Sequence, residues 1–455
     1  MNRNADASNF IWNSIGGCLN AGQSVIILMV ISRVCGLETA GIFSIAFATG
    51  NLFMYLGNYG VRNYQVSDLK EKASFPDYVC HRILTVALML LASAVYVLWS
   101  LLYGGYSAYK AGCVMAMCVL KAVDCMEEVF EGRYQQRGRL DRAGKLVTFR
   151  LIVSIGGMLI ALAATGDLLL STWIAVVLAA AASVFLIIRF RDTAAWPARA
   201  GRRTPEPKDP GARETGSGRC VQPSAGTGTP RALRRSVSGL MKACFPVCAA
   251  NFLSFFMINE PKYAIDAAMD ETAQACYNFI AMPVFVIQLL NMFMYQPLLI
   301  RMTQSYEKRE RKDFLGYFRK ITAGLLLIAV PVLLTAWLLG IPVLSALYAT
   351  DLSAYRIDLM ILLAGGVFLA FNGFYCAVLT IMRAQNRIPF MYLIGSALSL
   401  LVTPRMTRAF GIRGATVSFV CVMALVTLLL SILFLRRVSP YRFGENSSAG
   451  AAAAP

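Results

Sequence analysis

Twelve apolar stretches run along this 455-residue chain, six on either side of one long basic segment rich in Pro and Gly. We place them at 9–32, 39–61, 83–103, 107–130, 146–165, 168–188, 238–259, 274–299, 319–340, 357–381, 388–408 and 412–435. Each has about the 20 residues that an α-helix needs to cross a hydrocarbon core of roughly 30 Å. Lipid offers no partner to backbone polar groups, so runs of this kind predict helices that satisfy themselves internally. The ten-residue alternation that marks a membrane barrel is absent. The pattern predicts an all-α polytopic membrane protein.

Composition agrees. Hydrophobic residues make up 57% of the chain and charged ones 15%, against about 25% charged in a soluble domain. Residues 1–8 are polar and lack the basic region and small-residue cleavage site of a removable signal peptide. The first apolar stretch is therefore expected to act as the insertion signal.

A net charge of +18 raises the question of nucleic acid, but the placement of the charge answers it. Most Lys and Arg lie in the N-terminus, the even-numbered connections and the tail. By the positive-inside rule both termini are expected in the cytoplasm, with no nucleic-acid partner. Arg405, Arg408 and Arg413 form the one cluster on the other side. The twelve cysteines include no CxxC pair, and His81 is the single histidine. A metal site needs several such ligands, so none is expected, and His81 is expected to be a solvated loop residue.

The domain reading is a first lobe at 1–190, a cytoplasmic tether at 191–236, a second lobe at 237–437 and a tail at 438–455. The tether holds six Pro, six Gly and ten Lys or Arg, a composition that cannot bury apolar area and predicts disorder. Its basic residues also suit anionic lipid on the inner leaflet. Six helices per half bring both halves in from the same side, which predicts two lobes related by a pseudo-two-fold along the membrane normal. Faint repeats support this: Glu38-Thr39-Ala40 against Glu271-Thr272-Ala273, and Tyr64-Gln65 against Tyr295-Gln296.

Candidate chemistry lies in charges inside the bilayer, each costing about 2.5–3.5 kcal/mol at a helix centre on insertion scales. The fourth stretch carries Lys121, Asp124, Glu127, Glu128 and Glu131. At 100° per residue all five fall within an arc of about 120°. Arg150 in the fifth stretch sits at the depth of Glu127 and Glu128 and is expected to pair with one of them. One reading is a polar cavity wall with a carboxylate that changes protonation; the other is a structural ion-pair cluster. Pro261 is expected to end the seventh helix and set Lys262 at its outer mouth, as a ligand or a snorkelling anchor. Arg62 and Arg383 suit inner-end anchors, and Asn372 and Gln288 suit interhelical hydrogen bonds. No phosphate-binding loop of the form GxxxxGK[ST] and no HExxH or GxSxG motif occurs. The connections on the outer side are short. Neither fact favours an enzyme.

Several segments carry a family resemblance. They are Ser32 to Leu37, Ala40 to Phe43, Arg62 to Asp68, Gln135 to Asp141, Asn259 to Tyr263, Met282-Pro283 through Gln296 to Leu298, and Gly411 to Ala415. In these the chain resembles the polysaccharide and lipid-linked oligosaccharide flippases (the Wzx-like polysaccharide transporters) of the multidrug/oligosaccharidyl-lipid/polysaccharide exporter superfamily. The order of the segments spans nearly the whole chain outside the tether and tail. The tether is longer and richer in Arg and Pro than the resemblance implies.

The resemblance implies alternating access in a bacterial plasma membrane. It also implies a cargo of undecaprenyl-pyrophosphate-linked oligosaccharide, passed to the outer leaflet for cell-surface polysaccharide synthesis, alongside other assembly proteins. A sugar-pyrophosphate head cannot cross hydrocarbon, because an isolated buried charge costs tens of kcal/mol. Lys121, Arg150, Arg62, Lys262 and Asn251 are the residues expected to meet that head. Asp124, Glu127 and Glu128 are the candidates for coupling to a proton or Na⁺ gradient, with no other cofactor. The alternatives are a multidrug/cation antiporter of the same fold, a peptidoglycan-precursor flippase, and a membrane-embedded polysaccharide-synthesis enzyme.

Overall fold

The computed structural model describes residues 3–68, 73–190 and 230–438. Nearly all of them are helical. The elements are α1 (Arg3–Val34), α2 (Gly36–Asn58), a short α3 (Val61–Ser67), α4 (Phe75–Leu102), α5 (Ala108–Gln136), α6 (Leu140–Thr165) and α7 (Leu168–Arg189). They continue with α8 (Pro230–Ala268), α9 (Glu271–Glu307), α10 (Arg311–Thr335), a short α11 (Ile341–Tyr348), α12 (Arg356–Ile381) and α13 (Ile388–Val438). The last is two crossings joined at Gly411, whose φ of 59° is left-handed. Each of the twelve predicted stretches is therefore a helix.

The ends are set by local chemistry. Ser74 and Asp77 form a reciprocal capping box at the start of α4. Asp167 accepts from Leu169 N and Leu170 N at α7, and Asp270 accepts from Ala273 N at α9. Gly166 closes α6 in the left-handed conformation that glycine adopts without strain. Among the described residues nine helical segments are apolar enough to span a membrane on composition alone. The helix α5 falls outside that set because its charges break the apolar run, yet α2, α4, α6 and α7 surround it.

Two expectations about boundaries change. Pro261 does not end the seventh crossing: α8 continues through it to Ala268. A proline within a helix removes one hydrogen bond, and packing against α13 sustains the helix on either side. At its other end α8 begins at Pro230, so 230–236, assigned to the tether, are helical. The rest of the tether, 191–229, and the tail beyond 438 lie outside the described residues.

The crossings form two six-helix lobes, α1–α7 and α8–α13. In the first, α1 packs on α6 and α2 on α5; in the second, α8 packs on α13 and α9 on α12. These pairings correspond, as a pseudo-two-fold requires. Between the lobes the symmetry is broken. The seam between α2 and α8 is closed along its length, from Gly60 against Val247, through the Tyr55 and Phe255 rings 4.9 Å apart, to Tyr263 OH donating to Ala48 O at 3.2 Å. The counterpart pair, α1 with α9, makes no comparable contact among the described residues. A second departure lies in α2, which breaks at Tyr59 and Gly60, both at positive φ, whereas α9 runs unbroken.

Candidate functional site: a buried charge lattice in the first lobe

The five charges of α5 stay together in space, but they divide between two sets of neighbours. Towards α6 and α7, Asp124 Oδ2 lies 3.1 Å from Lys121 Nζ and its Oδ1 lies 2.5 Å from Arg150 Nη1. Arg150 Nε is also 2.9 Å from Glu127 Oε2, as an ion contact without in-line hydrogen-bond geometry. Ser183 of α7 donates to the same Glu127 oxygen at 2.5 Å. Towards α4 and α3, Glu128 Oε2 meets Arg82 Nη2 at 2.7 Å, and Glu131 Oε2 meets Arg62 Nη1 at 2.7 Å.

Four acids of α5 are thus paired with four cations, Lys121 from the same helix and Arg150, Arg82 and Arg62 from α6, α4 and α3. Such pairing answers the desolvation problem, because a buried charge is tolerated when it is both paired and hydrogen-bonded. Arg82 shows how far this goes: it also donates to Gly57 O at 2.6 Å and to Asn58 Oδ1 at 3.2 Å. The expectation that Arg150 pairs with Glu127 or Glu128 holds for Glu127. Glu128 turns to Arg82 instead, one residue being enough to rotate it by 100° towards α4.

Lys121 (2% exposed) and Arg150 (5%) line a small pocket inside the first lobe, with room for about one water molecule. Gln23 of α1, Phe47 of α2, Asp124 and Ser154 line it with them. Lys121 Nζ also stands 4.8 Å from the centre of the Phe47 ring, a cation–π arrangement. The cavity therefore offers two fixed cations, one shared carboxylate and a neutral amide.

The other sequence candidates are elsewhere. Lys262 is half-buried within α8 rather than at an outer mouth, because α8 continues past Pro261. Asn251 is half-buried on the same helix, three turns earlier. Asn372 accepts from Thr427 at 2.8 Å, an interhelical tie of the expected kind; the Gln288 side chain lies outside the described residues. Arg413 reaches Asp358 at 3.4 Å from a largely exposed position. His81 is not a loop residue: it lies in α4, is fully buried, and neither ring nitrogen has a hydrogen-bond partner among the described residues. Its ring meets that of Tyr59 edge-on at 5.5 Å.

Two features escape the sequence reading. Glu260 is 2% exposed, and Ser399 of α13 donates to its Oε2 at 3.2 Å. No Lys or Arg lies within ion-pair distance of it among the described residues. The available signal was a Glu inside a long apolar helix, and it was masked by treating Pro261 as a helix end. The second feature joins the lobes at the end opposite the termini. Lys110 Nζ lies 2.7 Å from Asp266 Oδ1 and 3.1 Å from Glu271 Oε1, while Tyr106 OH donates to Asp266 Oδ2 at 2.5 Å. On the other flank Arg33 donates to Ala346 O at 2.8 Å.

No family model matches the chain, and no curated protein sequence matches it either. Solved structures do. A lipid II flippase MurJ in an inward closed conformation aligns with a TM-score of 0.65 at 11% identity, over 96% of this chain and 91% of that one. An inward-facing multidrug resistance MATE family transporter of the MOP superfamily aligns with a TM-score of 0.56 at 11% identity, over 96% of both chains. Its outward-facing counterpart aligns at 0.55 and 13%, over 96% and 95%. The chain has the two-lobed helical fold that these membrane transporters and flippases share.

Proposed function

We propose that the chain is an alternating-access flippase. Its cargo in this reading is undecaprenyl-pyrophosphate-linked oligosaccharide, carried from the cytoplasmic to the outer leaflet of a bacterial plasma membrane for cell-surface polysaccharide synthesis. The observation that carries the reading is the mixed cavity of Lys121, Asp124 and Arg150 within the first lobe. Fixed cations replace the water that a pyrophosphate head loses, and the shared Asp124 lets them be released and recaptured without leaving a bare buried charge. Arg62, Lys262 and Asn251 are proposed to serve the head along its route. The similarity to a lipid II flippase supports a lipid-linked cargo.

With both termini in the cytoplasm, the Lys110–Asp266 and Arg33–Ala346 contacts close the outer end. In this reading the α1–α9 side gives a lateral path from the inner leaflet, through which the head enters while the lipid tail stays among the helices. Asp124, Glu127 and Glu128 are each ion-paired. Glu260, held by hydroxyl groups alone among the described residues, joins them as a proposed coupling site for H⁺ or Na⁺.

A multidrug/cation antiporter is the second reading. The similarity to multidrug transporters and the cation-free Glu260 both favour it. Reconstitution separates the two. A flippase moves a fluorescent undecaprenyl-pyrophosphate oligosaccharide between leaflets, whereas an antiporter exchanges a cationic dye for protons and leaves the lipid-linked sugar in place.

A further inference from the structure

Two primary amides on α9 are buried with polar atoms left unbonded. Gln274 is 1% exposed and Asn278 2% exposed, one helical turn apart. Gln274 Oε1 and Nε2 and Asn278 Oδ1 have no hydrogen-bond partner among the described residues. Buried polar groups are satisfied in the great majority of cases, so a cluster of exceptions calls for an explanation. Its place in the fold supplies one. At 100° per residue both side chains lie within about 60° of the direction of Glu271 and on the same side of it, and the Glu271 backbone carbonyl packs against Gly41 of α2 so closely that a Cβ there would collide with it. Gln274 and Asn278 thus lie on the face of α9 that meets the first lobe, in the same turns as the Lys110–Glu271 contact that ties the lobes together.

We infer that Gln274 and Asn278 form a sugar-binding subsite at the outer apex of the cleft, available when the seam between α2 and α9 parts. The inference rests on the flippase reading and extends it from the charged head to the neutral part of the cargo. A primary amide offers both donors and an acceptor, which suits adjacent sugar hydroxyls, and it carries no charge to hold a pyrophosphate. The cations of the first lobe and the amides of the second then take different parts of one molecule. Closing the seam strips the amides of water, and sugar hydroxyls restore their hydrogen bonds as it opens.

The test uses the full chain with Gln274→Met and Asn278→Leu, alone and together. Replacing an unbonded buried amide by an apolar group of similar shape is close to neutral or stabilising, so the melting temperature of these variants should not fall. Binding is read as the rise in melting temperature with undecaprenyl pyrophosphate alone and with its oligosaccharide-linked form. The wild type is expected to bind the sugar-linked form more tightly, and the double variant to lose about tenfold of that preference. Its response to the bare lipid pyrophosphate is expected to be unchanged. An unaltered sugar preference, or a fall in melting temperature showing that the amides hold the seam together, would overturn the subsite. A wild type that responds to neither lipid would overturn the flippase reading itself.

Discussion

Lys110 of the first lobe places its Nζ 2.7 Å from Asp266 Oδ1 of the second, with Glu271 3.1 Å away on its other side. The Lys110 and Asp266 side chains are both more than nine-tenths buried. Their position, at the end of the bundle away from the termini, makes the contact a latch between lobes. Removing one partner of a buried pair leaves the other uncompensated, at about 3–5 kcal/mol. Glu271 is a third exposed, which brings the expected effect to the lower end of that range.

Lys110→Ala is therefore expected to open the end of the bundle away from the termini. Spin labels at Gly105 and Asp270, on the loops that flank the latch, should report a longer distance than in the unsubstituted chain. An unchanged distance distribution would show that the apolar seam alone keeps this end shut.

The charge lattice on α5 makes an asymmetric prediction for its two deepest cations. In Lys121→Ala, Asp124 keeps its partner Arg150, so the protein should fold and insert while transport is abolished. In Arg150→Ala both Asp124 and Glu127 lose their bridging cation, and roughly 3–5 kcal/mol of stability should go with it. Arg150→Lys should recover only part of this, since an ammonium cannot reproduce the fork that spans two carboxylates. Thermal stability in detergent, read beside transport in liposomes, separates the variants. Normal transport by Lys121→Ala at normal abundance would reduce that lysine to a structural filler.

Much of this lattice was legible from spacing. Five charges on a 120° arc of one helix had to share a polar environment, and they do. Which partner each acid takes was not legible, because it depends on neighbours far away in sequence. Arg82 and Ser183 come from α4 and α7, and nothing local to α5 points to them. The helices themselves followed from the apolar runs, but their lengths did not. The α8 and α9 helices extend well beyond the apolar core, since packing rather than hydropathy decides where a helix frays. His81 shows the converse error: a polar residue beside an arginine near a helix start looks solvated until Tyr59 is found against it.

Glu260 carries the prediction about coupling. Glu260→Gln keeps the size of the side chain and an acceptor for Ser399, so abundance and stability should change little. It can no longer exchange a proton or balance a cation. Transport by this variant should become indifferent to an imposed proton or Na⁺ gradient, while movement down the cargo's own gradient continues. Gradient-driven transport at the original rate in Glu260→Gln would move the coupling role back to Asp124, Glu127 or Glu128.

Flippase activity is tested most directly by translocation itself. The purified chain is placed in liposomes carrying a fluorescent undecaprenyl-pyrophosphate oligosaccharide on one leaflet, and the appearance of the probe on the other leaflet is followed. Protein-dependent translocation that Lys121→Ala abolishes is the expected result. It would be contradicted if several lipid-linked sugars stayed where they were placed while the same liposomes expelled a cationic dye in exchange for protons.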